Sequence, residues 1–139
     1  MTAKCVYLYK KSEMETEELI SKIIQCAYRV HLALPPGFYE RLYQRALMIE
    51  LAEQNIKAES EVWLDARYRG QTIGKFRVDV IVEDQIIVEL KAVDGLTSLN
   101  GVQLVNYLNI AGYDYGILIN FGSEKFQAVR KFRLRKQQK

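Results

Sequence analysis

Asp79, Glu89 and Lys91 are the residues of this 139-residue chain whose types and spacing suggest chemistry. They lie in the run Phe76-Arg77-Val78-Asp79-Val80-Ile81-Val82, Glu83-Asp84-Gln85, Ile86-Ile87-Val88-Glu89-Leu90-Lys91-Ala92. Two β-branched flanks of period two bracket a short polar middle, which is the pattern of a β-hairpin. Outside the turn every even-numbered position is apolar, whereas Arg77, Asp79, Glu89 and Lys91 are all odd-numbered and share the other face. A turn centred on Asp84 sets Asp79 opposite Glu89, with Cβ atoms roughly 5 Å apart. Like charges so placed destabilise a hairpin, so something must offset them. Lys91, two residues along on the same face, is one candidate. A divalent cation is the other, because Mg²⁺ takes one or two carboxylates together with water and substrate phosphate. From the hairpin alone, a solvated face whose charges pair across the strands serves equally well.

The elements that must position these residues follow from periodicity. Residues 13–34 read as a helix, with Ile20, Ile23, Ile24, Ala27, His31 and Leu34 on one face and Pro35-Pro36-Gly37 as its stop. A second helix is expected over about 38–54, packed through Leu42, Ala46, Ile49 and Leu51. Along it Gly37, Glu40, Tyr43 and Leu47 form a narrow stripe, so Glu40 shares a face with apolar groups and needs a partner if buried. The other reading of Glu40 is a surface acid helped by the helix N-terminus. Strands at 59–68 and 72–82, joined by a turn at Arg69-Gly70-Gln71, lead into the hairpin as an antiparallel meander. A loop at 95–101 precedes a helix over 102–111 that packs through Leu104, Val105, Leu108 and Ile110 and carries Gln103 and Tyr107 one turn apart. The almost wholly apolar run 115–121 is the mark of a strand buried on both faces. Strand, helix and strand in that order imply a right-handed crossover and a parallel pair. A final edge strand with a basic face is expected where Phe132 and Leu134 alternate with Lys131, Arg133 and Arg135. The fold class is therefore α/β, a mixed central sheet flanked by helices.

Size and composition set the frame. A chain of this length forms one domain, 1–139, and buries roughly two-thirds of its unfolded surface. No apolar run approaches the ~20 residues of a membrane span. The Cys5-Val6-Tyr7-Leu8-Tyr9 run is too short for a secretory signal. Two cysteines, Cys5 and Cys26, make no disulfide framework, so a reducing, cytoplasmic setting is expected. His31 is the only histidine, which leaves a zinc site without ligands and makes a packing role the first expectation for it. Charge is uneven. Residues 123–139 hold seven basic side chains, among them Arg130, Lys131, Arg133 and Arg135, against Glu124 alone. Of the 20 basic and 17 acidic residues in the chain this leaves 13 and 16 elsewhere. A basic end suits either a polyanionic partner or a solubilising tail.

Gly37, Glu40 and Tyr43, with Ala27-Tyr28-Arg29-Val30-His31 before them and residues 47–51 after, resemble the signature of the GxxExxY protein family. That family is similar to the PD-(D/E)XK nuclease superfamily, whose restriction-endonuclease-like α-β-β-β-α-β core has the order of elements read above. Asp79 followed by Glu89-Leu90-Lys91 resembles its D…ExK motif, and Gln103-Leu104-Val105-Asn106-Tyr107 its Q-x-x-x-Y motif. Val78 stands where the literal motif has proline. The resemblance covers about residues 15–122. It implies hydrolysis of phosphodiester bonds with Mg²⁺ or Mn²⁺, with Asp79, Glu89 and the Leu90 carbonyl as direct ligands. Glu40 would hold a coordinated water or a second ion, and Lys91 would orient the attacking water and offset charge in the transition state. Gln103 and Tyr107 would steady the site or touch the phosphate backbone. Lys75, Arg77, Arg130, Lys131, Arg133 and Arg135 would make sequence-independent phosphate contacts. DNA is favoured over RNA as partner and no membrane is involved; a self-associating subunit, such as a homodimer, is a further alternative because so small a domain offers little surface to a duplex. No helix-turn-helix, zinc finger or RNA-recognition signature suggests base readout. The alternative is a catalytically silent module that binds nucleic acid or protein on the same fold.

Overall fold

No glycine or proline interrupts the chain before Pro35, and the first helix, α1, spans Ala3–Ala33. It begins ten residues upstream of the expected Glu13, because nothing in that stretch stops a helix. The structure is a computed structural model that describes residues 3–133, with side chains from Glu15 onward. Arg135 and Leu134 of the expected basic edge strand lie outside the described residues. Gly37 at φ 122° and an extended Tyr39 (φ −81°, ψ 159°) delay the second helix, α2, which runs Glu40–Glu53 rather than from Phe38. Asn55, left-handed at φ 57°, follows its end.

Left-handed backbone also makes both hairpin turns. Arg69 (φ 50°) and Gly70 (φ 74°) join β1 (Ala58–Tyr68) to β2 (Gln71–Val82), a turn whose twist matches that of paired strands. Glu83 (φ 53°) and Asp84 (φ 54°) turn β2 into β3, Ile86–Lys91. Helix α3, Ser98–Ala111, crosses to β4, Tyr115–Asn120, which pairs parallel to β3 from Ile86↔Tyr115 to Lys91↔Asn120. Finally β5, Gln127–Phe132, pairs antiparallel with β4. The sheet order is β1-β2-β3-β4-β5. Helix α3 starts four residues earlier than Val102. Asn100 Oδ1 accepts from the Thr97 backbone N–H at 2.9 Å, so part of the expected loop is the helix's first turn. Strand β5 likewise lies upstream of the expected edge strand. No helix among the described residues is long and apolar enough to cross a membrane.

Helices α1 and α2 cover one face of the sheet, where Ile20, Ile23, Tyr43, Leu47 and Leu51 pack on Val80, Val88, Ile117 and Phe121. The Tyr43 ring stacks on Phe121 at 4.8 Å, and its hydroxyl donates to the Pro35 carbonyl (2.7 Å) while accepting from Phe38 N–H (3.2 Å). Helix α3 covers the other face, with Leu104 and Leu108 against Val78, Ile81, Ile87 and Leu118. Ile49 and Ile110, expected to pack, are exposed instead. The buried stripe of α2 runs through Tyr43, Leu47 and Leu51, one turn apart, and Ile49 falls outside it. His31 is half-buried, donates or accepts through Nε2 to the Glu124 carbonyl at 3.1 Å, and packs on Phe126.

The end of β3 is locked from its neighbour. Phe121 N–H donates to the Lys91 carbonyl at 2.8 Å, prolonging the β3–β4 pairing. Asn120, fully buried, accepts from Val93 N–H and Gly122 N–H at 3.0 Å each and donates to the Val93 carbonyl and Gln127 Oε1 at 2.9 Å each. Gly122 approaches so closely that a Cβ there would lie 2.2 Å from Val93 N and 2.4 Å from the Ala92 carbonyl carbon. These bonds fix Lys91 and Ala92. Replacing Asn120 with leucine, of similar volume, removes these four hydrogen bonds and leaves the partly buried Val93 and Gly122 N–H groups without their acceptor, each bond worth about 0.5–1.5 kcal/mol. Urea denaturation is expected to show Asn120→Leu less stable by about 2–4 kcal/mol; a loss under ~0.5 kcal/mol would mean the lock is dispensable.

Candidate active site

The hairpin's simple alternation does not survive in space. Val80, Val82, Val88 and Leu90 face α1 and α2, but Val78 and Phe76, also even-numbered, face α3. Strand β2 therefore rolls over between Val78 and Val80, and Asp79 sits on the roll. β1 rolls at the same level, since Ala58 packs toward α1 and α2 whereas Val62 and Leu64 pack toward α3. The register pairs Ser60 with Val80 and Val62 with Val78, so the residue facing Asp79 is Glu61, left-handed at φ 52° in mid-strand.

The β2–β3 ladder runs from Val82↔Ile86 to Val80↔Val88. Beyond it the carboxylates supply the bonds. Leu90 N–H donates to Asp79 Oδ2 at 2.7 Å, and Asp79 N–H donates to Glu89 Oε1 at 3.2 Å. Both acids are half-buried. Burial, reinforced by the neighbouring Asp79 charge, pushes the Glu89 carboxyl up to about 8. The Asp79 N–H and the Lys91 ammonium oppose that rise without cancelling it.

The first turn of α2 closes the site from one side. Gln44, buried, donates from Nε2 to the Asp79 carbonyl at 2.8 Å. Glu40 is exposed by total area, yet its carboxyl is partly desolvated against the sheet and raised above its ordinary value. The Asp79 charge adds to that rise, whereas Lys91 and a hydrogen bond from the Ala92 backbone lower it. Glu40, Arg41, Gln44, Glu61, Arg77, Asp79 and Leu90 line an open cavity of about 160 Å³. From the α3 side, Tyr107 stacks on Phe76 at 4.6 Å and accepts from Gln103 Nε2 at 3.0 Å. Burial, then the Glu89 charge, raises the Tyr107 hydroxyl above its usual range, so it stands neutral beside the acids. Asp79, Glu89, Lys91, Glu40, Tyr107 and, through Tyr107, Gln103 thus occupy one neighbourhood.

The basic residues divide. Arg77 lines the cavity, and Lys75 lies two residues further out on β2. Arg130 and Lys131 are on β5, two strands from Glu89 and three from Asp79 at about 4.8 Å per strand. Arg130 is held by Glu17 at 2.5 Å, the Lys131 stem lies against Gly101, and Arg133 stands 3.9 Å from Asp114. Sequence reasoning missed Arg41, Gln44 and Glu61. Gln44 could have been found, one turn after Glu40. Glu61 could not, since no residue type signals a left-handed break within a strand.

Among the described residues no three acid, histidine or cysteine side chains converge on one point. Glu40 therefore does not join Asp79 and Glu89 in a three-carboxylate cluster. The pair itself fits a hard cation: its donors are oxygens, its charge is in excess, and each carboxylate has one oxygen outside the bonds just described.

A family model described as PD-(D/E)XK nuclease superfamily matches residues 17–132. No curated protein matches the chain. Among solved structures, the crystal structure of SSO0001 superposes with a TM-score of 0.54 and 22% identity, over 70% of this chain and 52% of that one. The likeness is one of fold, and the chain spans about half the length of that protein.

A carboxyl that holds its proton more tightly in the folded chain stabilises the fold at low pH. That contribution is lost as pH rises from the ordinary value of 4.5 through about 8. Urea denaturation in EDTA is therefore expected to show the native chain losing stability against Glu89→Gln across this window, by up to a few kcal/mol at 1.4 per unit. Parallel pH profiles for the two proteins would show that Glu89 takes up no proton there.

Proposed function

The chain belongs to the PD-(D/E)XK nuclease superfamily, and we propose that it hydrolyses phosphodiester bonds of nucleic acid, DNA in the first place, with Mg²⁺ or Mn²⁺ held by Asp79 and Glu89. The observation that carries this reading is the pair of half-buried acids clasped where β2 and β3 part, with excess negative charge beside Lys91. A divalent cation at that pair would supply Lewis acidity and draw phosphate oxygens against the acids.

The chain's own groups have separate tasks. Asp79 and Glu89 set the position of the cation, their orientation fixed by the Leu90 and Asp79 N–H groups. Lys91, locked through its carbonyl to Phe121, places an ammonium against the phosphate and orients the attacking water. Glu40 faces Lys91 and Asp79 from the helix and steadies that water. Tyr107 presents a neutral hydroxyl to the phosphate backbone, with Gln103 holding it. Arg77 on the cavity wall adds charge that any phosphate meets, whatever the sequence. Gly37, Glu40 and Tyr43 support placement in the GxxExxY branch, since Tyr43 ties Pro35 and Phe38 just ahead of Glu40. Self-association is a separate alternative, and sedimentation at micromolar concentration separates a homodimer from a monomer.

One observation favours the alternative of a silent binding module: among the described residues no third acid converges on the pair. Such a module would bind nucleic acid in EDTA in a salt-sensitive way and cut nothing in Mg²⁺ or Mn²⁺. On the nuclease reading, Asp79→Ala and Lys91→Ala each abolish Mg²⁺-dependent cleavage of labelled DNA and leave the circular dichroism spectrum unchanged. Equal cleavage by the native chain and either variant removes the assignment.

A further inference from the structure

The twin roll at Glu61 and Asp79 has a second effect. Past it, the odd-numbered side chains of β1 and β2 turn to the side on which α2 lies, and α2 runs beside Ser60 and Glu61. Trp63 is the next odd residue of β1, and its cross-strand neighbour on the same face is Arg77. Trp63 is 63% exposed, an unusual state for so large an apolar ring. Arg77 lines the cavity of the acids and reaches Glu61 at 3.9 Å, while Arg41 of α2 holds the same Glu61 oxygen at 2.7 Å. Asp65 and Lys75 face each other one step further out, with Asp65 also 3.6 Å from Arg67. Across the strands from this aromatic plane lies Arg77, which shares the Glu61 oxygen with Arg41 on the wall of the cavity that holds Asp79. From Asp79 to Arg77 is two residues of strand, roughly 7 Å, within the reach of a single nucleotide.

We propose that this face binds an unpaired strand: Arg41 and Arg77 hold a phosphate at the cavity wall, and Trp63 stacks the base of that nucleotide. Glu61 is a positioning residue, keeping both arginines aimed into the cavity. Stacking on Trp63 needs a base free of its complement, so the substrate is single-stranded nucleic acid or the unpaired end of a duplex. Aromatic stacking with cationic backbone contacts is the general chemistry of sequence-tolerant single-strand binding. The proposal rests on the reading that the cavity handles nucleic acid, but not on cleavage.

Trp63 is the only tryptophan in the chain, so its emission reports on this position alone. The full chain is titrated with a labelled ten-nucleotide oligothymidylate, with Ca²⁺ in place of Mg²⁺ and again in EDTA. A blunt, hairpin-closed duplex serves as competitor. The expected results are quenching of the emission that saturates with binding, and at least fivefold weaker binding of the blunt duplex. Trp63→Ala binds about 5-fold to 100-fold more weakly, and Trp63→Phe recovers most of that loss. Arg77→Ala lowers the slope of log K against log salt by about 0.7. Glu61→Gln weakens binding without changing that slope. Binding by Trp63→Ala within twofold of the native chain, duplex binding equal to single-strand binding, or saturation without quenching overturns the proposal. So does failure of any oligonucleotide to bind. Cleavage in Mg²⁺ is read separately: quenching without cleavage keeps this site and removes the nuclease, whereas cleavage without quenching does the reverse.

Discussion

Asp79 and Glu89 meet where their strands no longer exchange ladder bonds, and each carboxylate answers an N–H that the partner strand leaves over. Two carboxylates at such close quarters repel by a few kcal/mol even at an effective dielectric near 20. Without a cation the pair is relieved by a proton. Burial and the Asp79 charge push Glu89 up to about 8, toward the protonated form, with a hydrogen bond to the Asp79 side chain. A divalent cation at the pair would compete with that proton for the same excess charge.

The rest of the molecule maintains this repulsive arrangement. Asp79 is anchored through its carbonyl by Gln44, and Lys91 through its carbonyl by Phe121. Asn120 and Gly122 bind the chain just after Lys91 so closely that Ala92 presents its N–H to Glu40. Tyr43, filling the core under Phe121, ties the segment that delivers Glu40. Groups remote from any reacting atom thus set the distances at the site. Their cooperation explains how a strained constellation survives in a marginally stable fold.

Much of this was legible in the sequence. Period-two alternation gave the hairpin, and the polar triplet at Glu83-Asp84-Gln85 gave its register, so the facing of Asp79 and Glu89 followed from arithmetic on residue numbers. The apolar run at β4 and the helix before it gave the parallel pair. Helix starts were read less well. Thr97 and Asn100 cap α3 through side chains that look like loop residues, and nothing marked where α1 begins. The packing face of α2 was misjudged at Ile49 because hydrophobicity does not say which side of a helix meets the sheet. Gln44 and Arg41 were overlooked because their partners, the Asp79 carbonyl and Glu61, are distant in sequence.

The roll is the feature that period-two reasoning could not reach, and it is the one that makes a site of a strand. An unbroken alternation would put Asp79 on the α3 face with Ile81 and leave Val78 among the α1 and α2 contacts. Instead the frame changes at Asp79, which leaves its side chain in the plane of the sheet, pointing along the direction a ladder bond would take toward Leu90. Glu61 must roll with it because the two strands are paired there, and a non-glycine residue at φ 52° stands at about 1 kcal/mol or more of local strain. Arg41, at 2.7 Å from its carboxylate, contributes only modestly as an exposed ion pair. The ladder on either side, with apolar contacts that pin Val62 and Val78 to α3 and Val80 to α1 and α2, is what holds the strained residue. Two faces of burial that disagree by one residue force the acid out of both.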